Sequence, residues 1–337
     1  MDRVFFRTGK LLHGDRLMDF VCPACRGGLH TSTALYTCAK CDRRYPVVCG
    51  IPDFRLFGDP YIGIEEDRIK AQHLAQAALS RDFAALVAYY YSITPEDPAD
   101  LAVNWIAHAL AEVDIARELL SDLPIRGTLL DLGCSTGGLL IAAEPRVDHA
   151  VGIDVALRWL VIGSVRLREA GSTAQLVCAN TEALPFASER FDFITATDLM
   201  EHLRDLPAGL EETRRVLRPG ADTLWTTNNR FAPLPDPQVH LWGVGLLPRS
   251  WQSRYVAFRR GDLHHYHPKM RGAVEIERLF RHAGFRSVAV RAASLIAPHR
   301  AGLKGILTIY NAMLLRVPLA TGLLRIIGPR LSALARR

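Results

Sequence analysis

Long apolar runs are the first absence in this 337-residue chain. The longest are interrupted by charge within about a dozen residues, too short for a simple bilayer-spanning helix. A hydrophobic leader is missing too: Asp2, Arg3, Arg7 and Lys10 stand at the N-terminus with no apolar core of the needed length. That predicts no secretory signal and a cytoplasmic chain. Internal repeats and low-complexity tracts are absent, and 49% apolar with 23% charged residues exclude wholesale disorder. Acidic residues disappear towards the C-terminus. Glu277 is the last, and the 60 residues from Arg278 onward hold 11 Lys or Arg. Residues 1–277 hold 30 basic against 35 acidic side chains, so the net charge of +6 belongs to the C-terminal end. A one-signed segment of this kind suits an anionic surface, either lipid or nucleic acid.

Cysteine is sparse except in one place. Of seven, Cys49, Cys134 and Cys178 stand singly, while Cys22, Cys25, Cys38 and Cys41 form C-x2-C-x12-C-x2-C. Without a secretory signal, paired C-x2-C knuckles point to zinc rather than to disulfides. Four thiolates close a tetrahedral shell and leave no position for substrate, so this Zn2+ is expected to be structural. The run from Val21 to Phe54 resembles the zinc-ribbon module of small proteins that activate partner methyltransferases. Tyr45 to Pro52 match the Y-P-V-x-x-G-I-P strand that follows its second knuckle. That module is often fused in front of a methyltransferase.

Residues 64–122 repeat apolar side chains at helical spacing, broken at Pro95 and Pro98 and ended by Pro124. Within them Tyr89, Tyr90 and Tyr91 read either as pocket lining or as core. From residue 128 the pattern alternates strands and helices. Strands are predicted at 128–132, 149–154, 175–179, 191–197, 222–227 and 285–291, which implies a mostly parallel, doubly wound sheet. Ligands in such sheets sit at the C-terminal strand ends.

Three of those ends carry suggestive residues. Gly133, Gly137 and Gly138 follow the first strand with spacing G-x3-G-G, which is neither a pyrophosphate nor a triphosphate cradle. Asp154 closes the second strand, where a carboxylate can accept both hydroxyls of a ribose. Asn180 and Thr181 follow the third, placing an amide where it can meet an adenine edge, with Leu184-Pro185-Phe186 as a wall. Together DLGCSTGG, GID, NTEALPF, FDFI, LMEHL and VLRPGAD resemble the class I S-adenosylmethionine-dependent methyltransferases of the type 11 branch, over residues 128–292. The resemblance implies that Asp131, Gly133, Cys134 and Gly137 surround the methionine part of S-adenosylmethionine. It places Asp154 on the ribose, Asn180 and Thr181 at the adenine, and Thr197 beneath the transferred methyl. Asn180 departs from the usual aspartate of this motif, keeping an acceptor but losing charge.

Methyl transfer is an in-line displacement at an activated sulfonium carbon, so positioning dominates. A hydroxyl acceptor also needs a base or a polarising metal. Two segments carry suitable residues: Asp198 to His202 after the fourth strand, and Asp262 to Pro268, with three histidines in four residues. The catalytic candidates are Asp198, Glu201, His202 and His265. D-x2-E-H with a later histidine is similar to the metal site of ubiquinone-pathway O-methyltransferases and small-RNA 2′-O-methyltransferases, which implies Mg2+ against the acceptor oxygen. Asp198 shortens one arm of that pattern. Leu-Glu-His after the fourth strand is also widespread in type 11 enzymes with no known metal. There the resemblance implies that Glu201 and His202 start a helix and help hold the fold, so a base or structural role and the metal role both stay open. Residues 228–262 form a long Pro-, Trp- and Arg-rich insertion read as an acceptor lid.

The expected organisation is an α/β chain with a zinc ribbon at 18–56 and a helical linker at 64–122. A Rossmann-like methyltransferase domain follows at 123–292, then a basic amphipathic helical tail at 293–337. The tail suits the inner face of a membrane or packing back on the domain. The expected activity is O-methylation of a small-molecule hydroxyl, on a sugar, glycolipid or secondary metabolite. The alternatives are RNA methylation and a non-catalytic binding partner. Nucleic acid is disfavoured because residues 1–277 are net acidic and the tail offers only Tyr310 for stacking.

Overall fold

Each C-x2-C knuckle is a tight turn, and short strands join the two. The strands are β1 (Leu29–Thr31), β2 (Leu35–Cys38), β3 (Arg44–Val48) and β4 (Ile51–Pro52), paired in order as an antiparallel sheet. In the computed structural model the described residues are 19–94, 99–236, 239, 241–261, 270–296, 304–316 and 318–337. The sulfurs of Cys22, Cys25, Cys38 and Cys41 lie within 4.8 Å of one another. Cys22 is 3.7 Å from Cys41, and Cys25 is 3.4 Å from Cys38. A tetrahedral zinc with bonds of about 2.3 Å sets its sulfurs about 3.8 Å apart, so the four thiols fit structural zinc. The Lys40 amide donates to the Cys38 sulfur at 3.3 Å, orienting a ligand from behind.

Three helices follow the ribbon: α1 (Ile64–Ala77), α2 (Phe83–Ser92) and α3 (Ala99–Leu120). The alternating segment then gives β5 (Thr128–Leu132), α4 (Gly138–Ala143), β6 (His149–Asp154), α5 (Leu157–Glu169), β7 (Gln175–Cys178), β8 (Phe191–Thr197), α6 (Leu206–Val216) and β9 (Leu217–Asn228). After it come α7 (Arg249–Arg260), α8 (Ala273–His282), β10 (Ser287–Ala292), α9 (Lys304–Arg316), α10 (Pro318–Ile327) and β11 (Arg330–Arg336). Seven strands form one sheet in the order β10-β11-β9-β8-β5-β6-β7. The five from β9 to β7 run parallel, and β11 pairs antiparallel with both β9 and β10. β5, β6 and β8 have the predicted bounds, whereas β9 begins at Leu217 rather than Asp222.

The C-terminal tail requires correction. Residues 330–336 are the seventh strand of the central sheet, inserted between β9 and β10. The methyltransferase-like domain therefore extends past residue 292, and α9 and α10 form a helical insertion between its last two strands. Alternation in β11 follows burial: Leu331, Ala333 and Ala335 are buried, while Leu334 and Arg336 are exposed.

The sheet has a core on each face. α1 to α5 cover one with Leu74, Leu86, Leu120, Leu140 and Leu160. α6 and α8 cover the other with Leu210 and Phe280, and the ribbon joins this second core through Tyr36, Tyr45 and Phe54. Phe20 stacks against Tyr36, Phe54 and Phe186 at centroid distances of 5.8, 5.0 and 5.8 Å. The Phe54 amide donates to the Cys178 carbonyl at 2.7 Å, and the Val21 amide donates to the Pro185 carbonyl at 3.0 Å. The ribbon thereby covers the β7 edge of the sheet, a position that otherwise exposes unpaired backbone.

A buried ion network locks the ribbon exit to both α1 and α5. Arg55 donates to both Asp53 oxygens at 2.8 Å, to Asp67 at 2.6 Å and to the Val155 carbonyl at 2.9 Å. Arg158, at the start of α5, donates to Asp67 and Asp59 at 2.8 Å each, and Arg68 adds a bond to Asp53 at 2.8 Å. Asp67 also accepts from the Leu157 amide at 2.8 Å, placing a carboxylate at the α5 N-terminus. The Asp53 and Asp67 side chains are fully buried and that of Arg55 is nearly so. Removing one partner from such a set strands an opposite charge in low dielectric. Arg55→Leu is expected to cost about 3–5 kcal/mol in urea unfolding. Burial pushes the Asp53 carboxyl up, but Arg55 and Arg68 outweigh it and hold the group below its ordinary range. The stability that Asp53 supplies is then complete above about pH 4 and lost as pH falls through its lowered folded value. An acid titration followed by circular dichroism checks this, and Arg55→Leu flattens the Asp53 part of the loss.

Candidate active site

The C-terminal ends of β5, β6, β7 and β8 open onto one cavity of about 1160 Å³. Single small-molecule sites commonly span about 300–1,000 Å³, so the space suits two ligands side by side. Gly133, Asp154, Asn180, Thr181 and Thr197 all line it, together with Asp198, Glu201 and His202. Eight of the candidates drawn from four separate strand ends thus face one volume.

Asp154 accepts from the Ser135 amide at 2.9 Å and the Ala156 amide at 2.8 Å, one bond on each carboxylate oxygen. Each oxygen keeps a lone pair for a diol. Burial pushes its carboxyl upward, opposed by those two amides.

Three of the expected cofactor residues are not among the lining residues. Asp131 is 1% exposed and accepts from the Thr195 hydroxyl at 2.7 Å, and burial pushes its carboxyl well above the ordinary range. Cys134 packs its sulfur over Gly152, where an added Cβ would lie 2.6 Å away. Gly137 holds the left-handed turn at φ 76° that starts α4. These residues shape the loop from behind.

Asn180 has partners of its own. Its Oδ1 accepts from the Leu56 and Phe57 amides at 2.8 and 3.3 Å, and its Nδ2 donates to the Phe57 carbonyl at 3.0 Å. The amide is engaged by the ribbon exit while Asn180 still lines the cavity. A carboxylate could not donate to Phe57, which accounts for asparagine at this position. The clamped segment continues as Phe57, Gly58, Asp59, Pro60, Tyr61 and Ile62, all lining the cavity. One cavity wall is therefore supplied by the residues that leave the ribbon. No local motif in 55–62 announces this, because the partners that hold it against the sheet, Val155 and Asn180, lie about 100 residues or more away.

The helical linker roofs the cavity. Tyr90, Tyr91 and Trp105 line it beside Trp159 of α5, with Tyr90 and Trp159 rings 4.4 Å apart. Tyr89 instead bonds His73 at 2.8 Å. Glu112 of α3 accepts from the Thr136 hydroxyl and from Arg166 at 2.6 Å each. It sits so close to Gly138 that a Cβ there would lie 2.7 Å from the carboxylate carbon. A side chain at 138 would have to push the Glu112 carboxylate aside from these bonds.

At the end of β8 the polar groups are individually occupied. Arg330 of β11 donates to both Asp198 oxygens at 2.8 Å and to the Thr226 hydroxyl at 3.2 Å. Glu201 is buried, and its two oxygens accept from Thr227 at 2.8 Å and Asn228 at 3.3 Å. Burial, then the nearby Asp198 charge, pushes the Glu201 carboxyl upward. His202 is exposed to the cavity, and its Nδ1 lies 3.0 Å from the Tyr61 hydroxyl. Among the described residues, the four ribbon cysteines are the only group of three or more donors within reach of one metal. Asp198, Glu201 and His202 do not form such a group by themselves, and the later histidine of the metal reading, His265, lies outside the described residues. Asp198 is bound by a guanidinium that sequence reasoning passed over as one more basic residue. The second candidate segment, with His265, lies within 262–269, outside the described residues.

Residues 104–290, more than half of the chain, match the family model described as a methyltransferase domain. The ubiquinone biosynthesis O-methyltransferase of Cereibacter sphaeroides is 36% identical over 130 residues, covering 38% of this chain and 52% of that protein. The ubiquinone/menaquinone biosynthesis C-methyltransferase of Shewanella oneidensis is 29% identical over 159 residues, covering 40% of this chain and 62% of that protein. The chain thus spans about half the length of the first curated relatives it matches. Among solved structures, a Haemonchus contortus phosphoethanolamine N-methyltransferase aligns at 16% identity with a TM-score of 0.45, covering 67% of this chain and 52% of that one. On the family match, this chain belongs to the methyltransferase-domain family, whose methyl donor is S-adenosylmethionine.

Proposed function

We propose that this chain transfers a methyl group from S-adenosylmethionine to a hydroxyl oxygen of a small-molecule acceptor. The observation that carries this reading is one cavity faced both by Asp154 and by His202, with volume for a cofactor and an acceptor. In the proposed arrangement Asp154 holds the ribose diol. Gly133 and Ser135 lie along the methionine part, and backbone at 179–181 with the 57–62 wall encloses the adenine. Bound there, the cofactor supplies an activated methyl at a sulfonium. Thr197 lies beside the reacting groups.

His202 accepts the acceptor's hydroxyl proton through Nε2, because Nδ1 is occupied by Tyr61. Glu201 acts as a positioning residue that braces the turn after β8. Arg330, already neutralised by Asp198, contributes a guanidinium at the cavity edge. The acceptor is read as an amphiphile, a glycolipid or related metabolite, presented at the inner face of a membrane. Transfer of labelled methyl from S-adenosylmethionine into lipid, small-molecule and RNA fractions tests the reading. Label in the lipid or small-molecule fraction supports it, and label in RNA overturns it.

Two further outcomes follow from the geometry. His202→Ala is expected to lower kcat by about 10²–10⁴ while the Kd for S-adenosylhomocysteine is unchanged, measured by initial rates and calorimetry. Removing zinc with a chelator frees the 57–62 wall and is expected to weaken S-adenosylhomocysteine binding by about tenfold or more in the same calorimetric titration.

A further inference from the structure

The insertion after β9 exposes an unusual surface. α7 buries only Gln252 and Val256. Trp251 is 61% exposed and Phe258 is 86% exposed, seven residues apart and so on one side of the helix. In the loop before it, Trp242 is 62% and Leu246 is 65% exposed. Four bulky apolar side chains bared within one short stretch are not a routine scatter on a water-facing surface. The same stretch, 241–261, carries four arginines and no acidic residue. Leu241, Trp242, Tyr255, Arg259 and Arg260 surround a groove of about 500 Å³, open to solvent. Arg260 is held in place by its bond to the Val239 carbonyl at 3.1 Å.

This surface is tied to the cavity. Val239 and Met270, on either side of α7 in the chain, both line the cavity. Arg249 of α7 binds Glu275 of α8 at 2.7 Å, and Arg325 of α10 binds Glu277 of the same helix. The Asn229 side chain donates to the Ile326 and Gly328 carbonyls at 2.8 and 2.9 Å. α10 in turn exposes Leu323 and Ile326. Both insertions are thus anchored on α8.

We propose that α7 and the loop before it dock the protein on an anionic phospholipid bilayer. Trp242, Leu246, Trp251 and Phe258 enter the interfacial layer, and the Arg259–Arg260 groove receives a lipid phosphate. The chemistry selects this occupant. A helix with bulky aromatics on one side, arginines around it and no carboxylate matches an in-plane interfacial helix, and 12 residues are too few to span. Arginine supplies a forked donor for phosphate. The proposal rests on the reading above only in where it delivers an acceptor: one dissolved in the bilayer would approach the cavity from the side that Val239 lines.

Flotation of the full-length, zinc-loaded protein with vesicles of phosphatidylcholine, with or without 30% phosphatidylglycerol (about a third anionic, a common test composition), decides the matter without any methyl transfer. The protein is expected to float with the anionic vesicles, less so at high salt, and to remain behind with pure phosphatidylcholine. W251A/F258A and R259E/R260E are each expected to lower the bound fraction by about tenfold. Zinc content and S-adenosylhomocysteine binding stay at the wild-type level in both variants. Wild-type protein that never floats overturns the proposal, as does flotation that the variants leave intact. A dimer in sedimentation that W251A/F258A converts to monomer, without vesicle binding, would assign the face to a second copy instead. Loss of methyl transfer with normal flotation would count against the proposed activity and leave the docking surface standing.

Discussion

The pairing of Arg55 with Asp53 and Asp67 is the constraint on which the remaining structure depends. These charges sit where ribbon exit, α1 and the start of α5 converge, with almost no access to water. Isolated charges in such a place are prohibitive, and a fully bonded set is tolerated only in one geometry. The network therefore acts less as a source of net stability than as a fixture of position. It orients the segment that follows, so that 57–62 lies across the strand ends instead of trailing into solvent. Asn180 completes the clamp by donating to and accepting from that same segment. Ribbon, linker and sheet behave as one body, with ribbon and sheet sharing a hydrophobic core through Phe54 and Phe186.

That arrangement gives the zinc site a role beyond folding a small module. Zinc holds two knuckles, the knuckles hold β1 to β4, and β4 leads directly into the residues that wall the cavity. On the proposed arrangement, a metal that touches neither cofactor nor acceptor still governs cofactor affinity, because the segment it positions lines the cavity. The same logic applies at the far end of the chain. Arg330 reaches the cavity only because β11 returns to the sheet between β10 and β9 after the α9–α10 insertion.

Much of the sheet is legible in the sequence because the signal is local. Strands β5, β6 and β8 are short apolar runs closed by Gly, Asp or Thr, and nothing competes with that reading. The four-cysteine unit is equally local, with spacing alone specifying its chemistry. β11 is not legible, because Arg330 to Arg336 consists largely of residues that favour helices and its strand state comes from pairing on both sides. The site is legible by strand end but not by side chain. Asp154 and Thr197 face the cavity as their positions imply, whereas Asp131 and Cys134 turn inward to Thr195 and Gly152. Asn180 and Asp198 line the cavity, yet each is engaged by a partner more than 100 residues away, Phe57 and Arg330, that no pattern around it reveals.

The central claim is that the ribbon exit is part of the cofactor site. Hydrogen exchange on the zinc-loaded protein, with and without S-adenosylhomocysteine, tests it directly. The account predicts protection at 133–137, at 154–158 and at 179–182, accompanied by equal slowing at 56–62. Protection of the strand-end loops alone, with 56–62 exchanging unchanged, would contradict it.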